Sequence, residues 1–229
     1  MNSEPSFLKL WVRLLTFRSR FEDYQSLGTR QLIMGLVICW IVGMGRYWDD
    51  PRAILIQKAG IGSVLYVFLL AALLWLTVKP IDPNRFSYVG ILTFVTMTAP
   101  PALLYAIPVE KWMTLQAANQ TNLNFLGIVA LWRLCLWIHY LRRYGLFNGI
   151  TTCVAASLPL AFIFIALVEM NLHHVVVNIM GGIREADQSS QDAAYWAMWV
   201  FGILAFPVSC IAGISWCTMV YQSWRDRRM

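Results

Sequence analysis

Arg133 stands where an ionisable side chain is hardest to keep, inside the apolar run 122–141. An arginine within a membrane-spanning run pairs with something or binds something, because its charge is costly there. The preceding apolar run, 86–109, carries Pro100 and Pro101 side by side. Proline lacks an N–H and clashes with the carbonyl four residues back, so this pair frees the carbonyls of Thr96 and Met97. At 1.5 Å per residue, Thr96 lies roughly 15 Å from the start of its run and Arg133 roughly 16 Å from the start of the next. Both depths match the middle of a hydrocarbon layer about 30 Å thick. A guanidinium has five donors and needs no acceptor, so Arg133 is expected to bond the freed carbonyls and tie the two helices together. With no carboxylate at that depth, the same group could instead receive an anion: a lipid phosphate, a carboxylate or a small anionic solute. Thr96, Pro100, Pro101, Tyr105 and Arg133 form the candidate intramembrane polar site.

Other chemistry is thinly signalled. Glu169 and His173 are four apart and share a helix face, a spacing that can bind a metal, and Asp187 or Asp192 could add a ligand. No second His or Cys pair supports it, and a wet outer loop is the plainer reading. There is no HExxH, no GxSxG and no phosphate loop. Gly60-Ile61-Gly62-Ser63 resembles a piece of a serine motif, but the last apolar run has no His to act as a base. No catalytic residue and no cofactor follow from the sequence.

The elements that must position these residues are apolar helices. The chain has 229 residues, 59% hydrophobic and 13% charged, far from the balance of a soluble domain. Apolar runs at 31–47, 60–78, 86–109, 122–141, 150–172 and 193–221 are long enough to cross a bilayer, and predict a six-span helical bundle. Asp49-Asp50-Pro51 ends the first, and Lys79-Pro80-Ile81-Asp82-Pro83 ends the second. The five cysteines all fall inside apolar runs without metal-ligand spacing and read as small hydrophobes.

The net charge of +6 reads as topology, not nucleic-acid binding. With the N-terminus inside, inner segments hold Lys9, Arg13, Arg18, Arg20, Arg30, Lys79, Arg85, Arg142, Arg143, Arg225, Arg227 and Arg228. Outer segments hold only Arg46, Arg52, Lys58, Lys111 and Arg184. That bias places both termini in the cytoplasm. Ahead of the spans, Phe7, Leu10, Trp11, Leu14 and Leu15 fall at helical spacing beside Lys9, Arg13, Arg18 and Arg20. Such a segment lies in the membrane surface with its cations among anionic headgroups; a docking helix for a partner protein is the rival. The chain thus divides into an amphipathic segment 1–28, a membrane domain 29–222 and a basic tail 223–229.

The pieces GMGRYWDDPR, TAPPALLYAIPVE and ALWR, in this order between apolar spans, resemble a group of uncharacterised bacterial inner-membrane proteins. More loosely, the chain resembles bacterial Yip-domain proteins, which have a cytoplasmic N-terminal segment and usually five packed spans. This chain has a sixth apolar run and little N-terminal tail. The resemblance implies a polytopic fold in the bacterial inner membrane and supplies no catalytic residues. The expected function is a non-enzymatic membrane scaffold or assembly factor, with lipid, a membrane-protein partner or another copy of the chain as its contacts. The alternative is a small transporter or channel for an anionic solute, built on the broken span and Arg133.

Overall fold

A computed structural model describes residues 7–45, 48, 54–169 and 193–228; these are all helix and connection, with no strand among them. Two short helices, α1 (Phe7–Leu15) and α2 (Phe21–Gln25), lead into α3 (Thr29–Gly45). A one-turn α4 (Leu55–Lys58) precedes α5 (Ile61–Val78). Then come α6 (Tyr88–Met97), a 3-10 segment (Pro100–Ala106), α7 (Leu115–Arg143), α8 (Gly149–Glu169) and α9 (Ala193–Asp226). Four helices are long and apolar enough to cross a membrane, and α6 with its 3-10 continuation makes a fifth if the bent pair is one span. The helix α3 is apolar but shorter, at 17 residues, about 25 Å.

The centre of the bundle is α6. Ser87 caps it by accepting from the Gly90 amide at 3.0 Å. Its residues Ile91 to Met97 are all buried, so over that stretch no face of it meets the surroundings. Around it stand α3, α5 and α7. Between helices in lipid there is no hydrophobic drive, so close approach of small residues does the work. Gly35 of α3 lies so near α6 that an added Cβ would sit 2.3 Å from Thr96 Oγ1. Gly43 meets Ser63 of α5 in the same way, at 2.7 Å. Gly60 opens α5 at φ +67°, a left-handed turn that favours glycine. Outside this packing, Leu65, Leu69, Phe162, Ile203, Phe206, Ile211 and Ile214 stand exposed, as lipid-facing side chains do.

Hydrogen bonds fix which helix ends lie together. Trp216 Nε1 of α9 donates to the Thr77 carbonyl at the end of α5, 2.7 Å away. Arg85, just before α6, donates to the Tyr144 and Gly145 carbonyls beyond α7, the latter at 2.8 Å. Successive long helices therefore alternate in direction. One end of the bundle gathers Arg85, Arg142, Arg143, Arg225, Arg227 and Arg228, cations that the charge count groups together.

The proline-broken span expected over 86–109 takes the form of α6 and a 3-10 segment bent 45° from it. Paired prolines forbid the α pattern across 96–101, and the 3-10 segment begins at Pro100 itself. By contrast Pro159 and Pro207 sit inside α8 and α9 without ending them.

Candidate functional site

The break between α6 and the 3-10 segment is the polar spot of the interior. Thr96 is fully buried, and its hydroxyl donates to the Thr93 carbonyl at 2.8 Å. Pro100, Pro101 and Tyr105 are half-buried along the 3-10 segment, which packs on α3 and α7. The freed carbonyls do find donors, but Arg133 is not one of them. Met97 O accepts from the indole Nε1 of Trp11 at 2.8 Å. Thr96 O accepts from Cys39 Sγ at 3.5 Å and from the Ala99 amide at 3.2 Å. The expectation that Arg133 ties these carbonyls is corrected: the ties come from α1 and α3.

Arg133 is half-buried on α7, its guanidinium carbon 5.9 Å from the centroid of the Tyr66 ring on α5. That distance is at the limit of a cation–π contact. Its Nη2 is buried and has no hydrogen-bond partner among the described residues. The structure therefore holds an unspent donor near the break, and buried unpaired donors carry a full desolvation cost. Two surface grooves lie at the bundle end near α9, and neither is lined by Arg133.

The N-terminal helix is woven into this arrangement. Leu10 and Leu14 are 1% exposed. Trp132 Nε1 of α7 donates to the Leu15 carbonyl at 3.1 Å. Met97 lies nine residues into α6, about 14 Å from its start, so α1 reaches well into the bundle. Of the four cations on this segment, Lys9, Arg18 and Arg20 are exposed. Arg13 instead pairs with the buried Asp23 carboxylate at 3.0 Å.

Sequence reasoning missed a cluster where α2 meets α7. Ser19 Oγ donates to Tyr24 Oη at 2.6 Å, and His139 Nε2 faces the Ser19 carbonyl at 3.3 Å. Phe94 stacks on Tyr140 with centroids 4.3 Å apart, and Tyr140 stacks on Tyr144 at 5.1 Å. Phe17 holds φ +60° to turn the chain between α1 and α2, a strained geometry for a bulky residue. Aromatic content alone signals such a cluster, without saying which rings meet.

Burial pushes the Tyr24 phenol up to about 12, the nearby Asp23 carboxylate adds to this, and the Ser19 hydroxyl opposes it. The folded chain thus binds this proton more tightly than the unfolded one. Stability owed to it is complete below the ordinary tyrosine value and is lost as pH rises through the folded value. Thermal unfolding in detergent at about pH 9 and about pH 11 should differ less in Tyr24→Phe than in the parent.

Glu169 is the last residue of α8, while His173, Asp187 and Asp192 lie outside the described residues. Among the described residues no three His, Cys, Asp or Glu side chains gather as a metal site. The cysteines are free; Cys39 is buried and Cys135, Cys153, Cys210 and Cys217 are exposed. No family model matches this chain, and neither a curated protein nor a solved structure is found similar to it.

Proposed function

We propose that this chain is a non-catalytic integral membrane protein, a scaffold or assembly factor of the bacterial inner membrane. In this reading α3 is the sixth span, α1 is an amphipathic helix at the cytoplasmic side, and both termini are cytoplasmic. Anionic headgroups meet Lys9, Arg18 and Arg20, and the exposed apolar faces take a membrane-protein partner or a second copy. The likeness to bacterial Yip-domain proteins belongs to the same reading. The observation that carries it is the sealing of the broken span: Trp11 and Cys39, from the chain itself, occupy the carbonyls that a transport site would offer.

A second reading rests on the unspent Nη2 of Arg133, the kind of group that receives an anionic solute. One experiment separates the two. Proteoliposomes holding the purified chain should release chloride or phosphate no faster than empty vesicles. Release that Arg133→Met abolishes would overturn the scaffold and favour transport.

The topology has its own test. In a background without the five native cysteines, Thr114→Cys should react with an impermeant maleimide on intact cells. Ser26→Cys should react only after permeabilisation. The reverse pattern would reject cytoplasmic termini, and labelling of both in intact cells would reject the six-span map.

A further inference from the structure

We propose that the end of α9 carries a phospholipid site selective for an amino headgroup. Two grooves meet there. The first, about 400 Å³, has apolar walls from Pro80, Trp216, Val220, Tyr221 and Trp224. The second, about 560 Å³, is more polar than the first and holds Asp82, Arg85, Ser223 and Asp226. Arg227 lines both.

A phospholipid has the same order of parts: an acyl chain, then a phosphate, then a headgroup. Arg227 stands where the phosphate would fall. Its Nε is committed to the Ser223 carbonyl one turn back, 2.9 Å away. Its two terminal nitrogens have no hydrogen bond among the described residues and can fork onto phosphate oxygens. Trp216, Tyr221 and Trp224 belong to the side chains that settle at the interfacial level, where glycerol and phosphate lie. The walls are held in place: Trp216 donates to the Thr77 carbonyl and Ser223 Oγ to the Ile81 carbonyl, each at 2.7 Å. These bonds pin α9 to the end of α5 and to the turn after it.

The polar groove decides the headgroup. Asp82 lies 3.5 Å from Arg85 and is largely spent on it. Arg85 is in turn spent on the Gly145 carbonyl. Asp226 has no ion pair among the described residues and sits beside Arg227. A phosphate on Arg227 therefore leaves one carboxylate for one ammonium. That balance fits a primary-amine headgroup, with N–H donors for Asp226. A quaternary amine brings charge without donors, and a glycerol headgroup brings O–H donors without the positive charge that pairs with a carboxylate.

The test is competition between lipids. Delipidated protein in detergent is mixed with equal amounts of phosphatidylethanolamine, phosphatidylglycerol and phosphatidylcholine, and bound lipid is read by native mass spectrometry. Phosphatidylethanolamine should be retained about tenfold over the others, the worth of one charge-assisted bond. Asp226→Asn should erase that preference while binding persists, and Arg227→Gln should weaken retention of all three lipids. Lys58→Gln, an exposed cation on the one-turn α4, should change nothing. Both site residues are exposed at a helix end, and unchanged melting temperatures would show that the variants fold. Equal retention of the three lipids, or indifference to both site substitutions, would overturn the proposal. So would a stable dimer whose formation excludes lipid from this site.

Discussion

Arg133→Met should raise the melting temperature of the chain in detergent. The helix tie expected from the sequence predicts the opposite sign. It offers Arg133 as the donor for carbonyls freed by Pro100 and Pro101, so its loss would leave them bare. The structure gives those carbonyls to Trp11 and Cys39, and leaves Nη2 of Arg133 with no partner among the described residues. An arginine deep in an apolar span costs about 2.5 to 3.5 kcal/mol on insertion scales. Against this stands the Tyr66 contact at 5.9 Å, worth about 0.5 to 1 kcal/mol at most at that separation. Methionine keeps the length and supplies packing, so a net gain of about 1 to 3 kcal/mol is expected. A drop in stability instead would mean that the guanidinium has a structural partner after all. Arg133→Lys separates charge from shape: it should gain much less than Met, because the cost of the charge stays.

The apolar spans and the site of the break are legible in residue order, because each depends on local chemistry. The Lys79–Pro83 stretch directly follows the end of α5 at Val78, while Asp49-Asp50-Pro51 lies outside the described residues. Pro100 and Pro101 free two carbonyls whatever surrounds them. What the chain order does not carry is the identity of the donors. Trp11 lies 86 residues from Met97, and its place in the apolar stripe of a short helix suggests burial rather than a bond. Cys39 reads as a small hydrophobe for the same reason, although a thiol is also a weak donor. Helices outrun the apolar runs where polar residues flank them. The polar stretch Gln120, Asn122 and Asn124 lies inside α7, which starts at Leu115. No proline or glycine interrupts it there, and polar side chains at a membrane boundary do not end a helix. The final helix likewise runs past the last apolar turn to Asp226, carrying Trp224 and Arg225 out to where the grooves form. Gly35 and Gly43 show the same limit. Their eight-residue spacing marks one face, but only the fold shows that Thr96 and Ser63 fill it.

Trp11→Phe tests whether the N-terminal helix is a working part of the bundle. The substitution keeps an aromatic ring over the core and deletes the N–H that reaches the Met97 carbonyl. That carbonyl lies inside the bundle, with every residue of α6 from Ile91 to Met97 buried, so water is a poor substitute. Leaving it unpaired should cost about 1 to 3 kcal/mol. The cause can be isolated, because the carbonyl is free only through Pro101, whose nitrogen would otherwise bond it. Pro101→Ala returns an amide that can close the α pattern onto Met97 O. On that background Trp11→Phe should cost less, and the difference between its two costs is the coupling between indole and broken helix, about 0.5 to 3 kcal/mol for groups in one network. Additive costs would mean that Trp11 stabilises by packing alone, as Leu10 and Leu14 do. A coupled result carries a structural consequence: α1 completes the backbone hydrogen bonding of a helix in the bundle interior. Its removal would open the broken span from the end where the cations gather, exposing the Met97 carbonyl to whatever enters. Proteoliposomes made with a chain lacking residues 1–20 should then leak small solutes that the full chain retains, and Pro101→Ala should reduce the leak.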